Sequence, residues 1–545
     1  MRRFLYVLLL LSGVLLVSTM TLSYAQREDA PDYDERTYEG VGECNACHRG
    51  TANDHRDTLH AMALSDDPES ILADFESGAD LRTVTFPGED DPRPFTAEDV
   101  AYVMGAGRYV QAYVTELNPG EYVVFPAEWN TQQGEWVSYE IGDTWPEDPA
   151  YNWNTQCAGC HTTGLQQTDE GIVWEDDGVQ CEACHGPGSE HVAIANDLPR
   201  RASPEELAAA SASILDGTDP QVCGQCHARG TAEDGEFAFV PGFFPFPGQD
   251  LLAEDNLTLI PPDDPAHWWP TGHARSPNMG FNEWLMSGHS EALTNMQASG
   301  GAAERCFECH STDGARNQAI IAEFEAGERE GLPPEPLTVE TAQHGVTCVA
   351  CHDMHQEELT DFHVVEDTYP LCTSCHTDPD LTDRIHYPTQ QMFEGVAVVD
   401  EVEPVPGAHF AAEDGPDCQS CHMPRVPVAS FSLSSHSMQI VSPGIAGDIA
   451  ELDDSCTVCH GEQAEPAAMQ RLIDDTQASN AARIAAIEEA LTGNEPEWVG
   501  RAFAFVADDT SLGVHNYAYS DALLDAIEAE IGIFDTDTEG NQADE

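Results

Sequence analysis

The spacing of apolar and polar positions changes character several times along the 545-residue chain. Between residues 81 and 142, LRTVTF, EYVVFPAEW and EWVSYEIG are rich in β-branched and aromatic side chains, broken by NPG and QQG. That pattern predicts short strands joined by tight turns, a small β-rich insertion near the N-terminus. Near the C-terminus, AAMQRLIDDTQASNAARIAAIEEALTG carries apolar residues at helical spacing up to a glycine, and SDALLDAIEAEIG repeats the pattern; both predict helices. DHRDTLHAMAL predicts a shorter helix near residue 60. The first residues, MRRFLYVLLLLSGVLLVSTMTLSYAQ, place two arginines, an apolar run and Ser-Tyr-Ala before Gln26. This reads as a secretory signal cut after Ala25. The run also approaches spanning length, so an uncleaved anchor is the other reading. No cysteine near the cut offers a lipid attachment point.

The cysteines change the picture more than any period does. There are 18, and all fall in nine Cys-x-x-Cys-His units: Cys44/Cys47, Cys157/Cys160, Cys181/Cys184, Cys223/Cys226, Cys306/Cys309, Cys348/Cys351, Cys372/Cys375, Cys418/Cys421 and Cys456/Cys459. Zinc sites group such pairs in twos and do not ask for histidine next door. A disulfide scaffold does not keep one spacing nine times. Attachment of c-type haem explains both features. Two thiols bond the macrocycle's vinyl groups, and the adjacent imidazole reaches the iron as proximal ligand. The proximal ligands are then His48, His161, His185, His227, His310, His352, His376, His422 and His460, and the cofactors are nine covalently attached haems.

Charge adds a second constraint. Ninety-eight acidic residues face 21 basic ones, all arginine, for a formal charge of −77. Cleavage after Ala25 removes Arg2 and Arg3 and no acid, so −77 becomes −79. The acids are spread along the chain, which gives either a solvated skin suited to high salt or a field that attracts basic and cation-bearing redox partners. Nucleic acid is excluded as a partner.

Motif spacing sets the organisation. The expected fold is a multihaem cytochrome c, mainly short α-helices and irregular loops around a haem array, with the β-rich insertion and a helical C-terminal tail. Its divisions are a signal peptide (1–25), the first haem plus the insertion (26–150), a three-haem cluster (151–232), a linker segment (233–300), a five-haem cluster (301–461) and the tail (462–545). The linker opens with FAFVPGFFPFPGQD and carries HWWPTGHARSPN and NEWLMSGHSEAL.

Thirteen histidines remain after the proximal nine. An electron-transfer haem usually takes a second protein ligand, and histidine in that position keeps the iron low-spin and closed. The candidates are His60, His191, His273, His289, His355, His386, His409, His436 and His515, with His55, His267, His344 and His363 in reserve. His436 ends a loop long enough to return over a neighbouring haem, and His515 between the terminal helices would fold the tail back onto the array. His191 follows a Gly-Pro-Gly turn too closely to reach back over its own haem, so it belongs to another. The second and third motifs lie close in sequence and are expected to be neighbours.

YNWNTQCAGCHTTGL…GVQCEACHGPGSEH resembles the exported multihaem cytochromes related to the tetrahaem cytochrome of ammonia oxidisers. HGVTCVACHDMH…YPLCTSCH…CQSCHMPR…SSH…CTVCH resembles the haem-rich half of large bacterial multihaem cytochromes and, more distantly, the ammonia-forming nitrite reductases. The resemblance places His191, His355 and His436 where such proteins carry distal ligands. It implies a nine-haem electron carrier in the periplasm or outside the cell, with no catalytic residue. The alternative is a reductase of nitrite, hydroxylamine or a related small oxyspecies at one open haem, with Arg108, Arg275 or Arg305 as anion donors. Haem nitrite reductases typically bind the catalytic iron with lysine from Cys-x-x-Cys-Lys, and this chain has no lysine. A membrane-associated complex or a homopolymer is the third assembly open to it.

Overall fold

A computed structural model describes residues 36–533 except 140, 169–170, 232–249, 254–255, 330, 356–361, 379–380, 382–384 and 462–463. The signal segment and most of FAFVPGFFPFPGQD lie outside the described residues.

The predicted β-rich insertion forms a six-stranded antiparallel sheet. Its strands are β1 (Leu64–Ser65), β2 (Tyr102–Met104), β3 (Val110–Asn118), β4 (Glu121–Val124), β5 (Ala127–Asn130) and β6 (Glu135–Ser138). They run in the order β1-β2-β3-β5-β6, with β4 also paired to β3. The NPG and QQG turns sit where the pattern put them, and Gly120 (φ 77°) and Gly134 (φ 68°) take the left-handed conformation that glycine tolerates. EYVVFPAEW is two strands rather than one. Pro126 has no N–H to give a ladder, and the chain breaks there between β4 and β5.

The longest strand, β3, is buried on both faces, and alternation divides its side chains between two cores. Tyr113 joins Phe95, Phe125, Trp129 and Trp136 on one side. Ala112 and Val114 join Trp153 and Ala158 on the other, with Cys157 packed against them. The sheet therefore backs the second cysteine motif directly.

Beyond the sheet the motifs ride on short helices: α1 (Val41–Cys47), α2 (Ala158–His161), α3 (Cys181–His185), α4 (Gln221–His227), α5 (Phe307–His310), α6 (Thr368–Thr373), α7 (Cys418–His422) and α8 (Thr457–His460). Helical spacing is what the motif needs, because residues three and four apart share a face. The sixth motif begins in a single 3-10 turn, Cys348–Ala350. DHRDTLHAMAL is helical only up to Arg56, and His60 follows in a turn.

The tail is helical as predicted, with three helices rather than two: α9 (Pro466–Ala490), α10 (Glu497–Asp508) and α11 (Tyr517–Ile531). Val499, Ala502, Phe505 and Val506 of α10 meet Tyr519, Leu523, Leu524 and Ile527 of α11 over Met392 and Val398. Arg483 of α9 ties this unit together, with its guanidinium 2.7 Å from Asp521 and 2.7 Å from Glu528.

Candidate metal centres

The nine motif histidines are not alike. Eight face a second histidine across a nearly constant gap. Ring centroids are 6.1 Å apart for His48–His191 and for His60–His227. They are 5.8 Å apart for His185–His355, 6.0 Å for His289–His376 and 6.2 Å for His310–His386. The last three, His352–His436, His409–His460 and His422–His515, stand at 6.2, 6.1 and 6.2 Å. Interplanar angles meanwhile range from 18° to 72°. Ring stacking would fix the angle. A slot for a metal held by two imidazoles fixes the distance, at two bonds of about 2 Å plus each nitrogen's offset from its ring centre. The pairs fit a six-coordinate iron.

Hydrogen bonds orient the rings for that task. The Nδ1 of His185 donates to the Leu215 carbonyl at 2.6 Å, that of His191 to Ala210 at 2.9 Å and that of His352 to Phe362 at 2.9 Å. His310 and His422 donate to Ala292 and Met438 at 3.3 and 3.2 Å. A carbonyl can only accept, so Nδ1 carries the proton and Nε2 is left with its lone pair for a metal. Burial pushes His60 down to about 3 and His436 down to about 4, helped by neighbouring histidines. Both imidazoles are thus neutral, the ligating form. His515 is shifted upward. Burial lowers it, and the Asp509 carboxylate, 2.8 Å from Nδ1, outweighs burial.

Of the nine histidines expected opposite motif histidines, His273 departs. It is fully buried, its Nδ1 bonded to Thr271 Oγ1 (2.9 Å) and its Nε2 to the Gln439 carbonyl (3.0 Å). With both nitrogens engaged it is a structural residue clasping two segments. Among the described residues no reserve histidine faces a motif histidine either. His55 gives Nε2 to the Val179 carbonyl (2.9 Å), and His267 gives Nδ1 to Ser276 (2.9 Å).

That leaves His161. Its Nδ1 donates to the Ala63 carbonyl at 2.8 Å, like the other motif histidines, and burial lowers its pKa. Among the described residues no histidine ring stands opposite it. Arg229 and Tyr139 interact electrostatically with each other beside this motif, Arg229 near Cys160 and Tyr139 near Cys157. The arginines singled out from sequence lie elsewhere. Arg108 stacks on Phe362 and Arg275 on Trp269, while Arg305 is solvent-exposed. Nothing local marks Arg229 in the sequence, because its approach to Cys160 is a long-range contact.

None of the 18 cysteines forms a disulfide, and thiols of different motifs meet in a definite order. Cys44 lies beside Cys181, Cys160 beside Cys226, and Cys223 beside Cys348. Cys309 lies beside Cys375 and Cys372 beside Cys418, while Cys351 is near Cys375 and Cys421 near Cys459. With Cys184 close to Cys226, the motifs string together as 1-3-4-6-7-8-9, with the second branching from the fourth and the fifth from the seventh. Helix packing agrees, α1 against α3, α2 against α4 and α6 against α7. The second and third motifs, adjacent in sequence, are joined by these contacts through the fourth rather than to each other.

A family model described as cytochrome c554 and c-prime matches residues 131–186, which hold the second and third motifs. The outer cell wall cytochrome OcwA superposes with a TM-score of 0.72 at 26% identity, over 91% of this chain and 99% of its own. The fold is that of the multihaem c-type cytochromes. An undecahaem cytochrome from the S-layer of Carboxydothermus ferrireducens aligns at TM-score 0.57 and 19% identity, over 93% of this chain and 71% of its own. The distant likeness to nitrite reductases carries no structural argument. The catalytic subunit of the Desulfovibrio desulfuricans cytochrome c nitrite reductase aligns at TM-score 0.28 and 14% identity, over 45% of this chain and 72% of its own. No curated protein matches the chain. Among the described residues no helix is long and apolar enough to cross a membrane.

Proposed function

We propose that this multihaem cytochrome carries nine c-type haems and conducts electrons between redox partners outside the cytoplasmic membrane. The observation that carries the reading is the eight-fold repetition of a motif histidine facing a second histidine at 5.8–6.2 Å. Bound haem supplies the one-electron chemistry. The chain's part is to hold each macrocycle by two cysteines, close eight irons with paired imidazoles, and set the macrocycles side by side in the order of the thiol contacts. Extracellular placement is supported by the likeness to cytochromes of an outer cell wall and an S-layer. A charge of −77 suits partners with basic or cation-bearing surfaces.

Mass spectrometry of the intact protein is expected to give nine haems per chain, and EPR of the oxidised protein eight low-spin signals to one high-spin. Fewer than nine haems would overturn the count. Uniformly low-spin iron would show that His161 has a partner after all. A second reading rests on that residue: a small ligand binds opposite His161, beside Arg229 and Tyr139, and is reduced there. Adding nitrite or hydroxylamine should then shift the high-spin signal and be followed by turnover. A high-spin signal indifferent to both leaves the conductor alone.

A further inference from the structure

The hydrogen bonds that orient the facing histidines divide into two chemical kinds. His185, His191, His310, His352 and His422 give their Nδ1 protons to neutral backbone carbonyls. His515 gives its proton to a carboxylate, Asp509 Oδ1, at 2.8 Å, whereas His355 Nδ1 stands 3.6 Å from Asp353 Oδ1, beyond hydrogen-bond reach and open to solvent. Asp509 is 1% exposed, so water does little to screen it.

The arrangement is built rather than incidental. Asp509 sits at the C-terminal end of α10, where the helix dipole disfavours an acid, and its second oxygen is taken by the Ser511 hydroxyl. The loop from Asp509 to His515 holds two non-glycine residues in the left-handed region, Thr510 (φ 59°) and Leu512 (φ 56°). Such residues persist only where their surroundings fix them. Here Asn480 of α9 donates to the Leu512 carbonyl at 3.1 Å, and a Cβ at Gly513 would collide with the same Asn480 amide. The Ser511 hydroxyl also accepts from the His515 N–H at 3.2 Å. Every contact holds the ring against the carboxylate.

We propose that Asp509 is a positioning residue that lowers the reduction potential of the haem held by Cys418 and Cys421, relative to what a backbone carbonyl in its place would give. This rests on the reading of His422 and His515 as the two axial ligands of that haem. A hydrogen bond to a carboxylate gives the imidazole partial anionic character and makes it a stronger donor, which favours oxidised iron. The buried negative charge acts in the same direction. Hydrogen bonds to charged groups exceed neutral ones by about 1.4 kcal/mol, which is about tenfold in an equilibrium. In the thiol order this haem lies between the seventh and the ninth.

The test is a spectroelectrochemical titration of full-length Asp509→Asn beside the parent, with haem count by mass spectrometry and spin state by EPR. Asparagine keeps an oxygen acceptor and removes the charge. The expected result is an unchanged haem count, unchanged low-spin signals and one midpoint raised by about tenfold in its equilibrium, about 59 mV for one electron. Asp509→Glu, which restores the charge, should return that midpoint most of the way. His515→Ala identifies the haem, since the site that turns high-spin must be the one whose midpoint moved. Superimposable titrations of Asp509→Asn and parent overturn the proposal. So does a new high-spin signal in Asp509→Asn, because the carboxylate would then be retaining the ligand rather than tuning it. If His515→Ala leaves every haem low-spin, the failure lies in the ligand assignment, and a shifted midpoint in Asp509→Asn would not rescue it.

Discussion

In the sheet, Phe95 lies flat on Phe125 with centroids 3.8 Å apart, and Tyr113, Trp129 and Trp136 close around them. In the motif region, the side chains that face one another most regularly are histidines held about 6 Å apart. The first region buries its own side chains against its own side chains. The second arranges its side chains around the shape of something else. The comparison teaches where the folding energy comes from. Each large apolar group buried in the sheet contributes roughly 1.5–3 kcal/mol from the chain alone. On the proposed reading, the macrocycles would complete the corresponding burial in the motif region, and assembly there would be coupled to haem attachment as metal binding is coupled to folding in small metallodomains.

The sharpest way to break the comparison is to make the chain without haem attachment. Hydrogen exchange should then leave β3 and β5 protected, while α2 to α8 exchange almost as an unfolded chain. The expected difference in opening free energy is at least about 5 kcal/mol, the low end for a stable domain. Equal protection in both regions would end the distinction. A narrower test removes one ring. Phe95→Ala deletes a fully buried side chain and should cost about 3–5 kcal/mol, read by calorimetry as a lowered sheet transition. The haem absorption and spin state should not change. If they do, the face of β3 that carries Ala112 and Val114 transmits the damage to the motif at Cys157, and the two regions form one cooperative unit.

The two regions also differed in how far the sequence reveals them. The cysteine motifs are short-range, so each candidate attachment point is visible in spacing alone. Turns at Gly120 and Gly134 were equally legible, because NPG and QQG state a backbone requirement. The longest strand was not. Val110–Asn118 alternates between two cores, so apolar residues occupy both phases and the period-two signal blurs. No local pattern separates the facing histidines from the other spare ones, and His273 shows it. A histidine with two hydrogen-bond partners is indistinguishable in sequence from one awaiting a metal. The pairing itself is long-range, as with His60 and His227, and no local pattern encodes it.

The smallest effect lies beside the sheet core, next to the two-stranded ladder that pairs Thr83–Val84 with Arg93–Pro94, and depends on pH. Arg93 grips Asp99 with two hydrogen bonds of 2.8 and 2.9 Å, and Asp99 also accepts from the Thr96 N–H at 2.8 Å. The arginine bond holds the Asp99 carboxyl below the ordinary range despite partial burial. A folded-state pKa depressed in this way stabilises the native state above the unfolded value, near 4. That contribution is lost as the pH falls through the folded value. Arg93 is 39% exposed, so solvent screens the pair and its contribution is at most about 1 kcal/mol. Asp99→Asn should therefore lower the sheet transition slightly at pH 7, and the gap to the parent should close progressively below pH 4. The haem region should show no part of this dependence, since Asp99 touches no motif. A gap that persisted undiminished at low pH would mean that Asp99 acts through its cap on Thr96 and not through its charge.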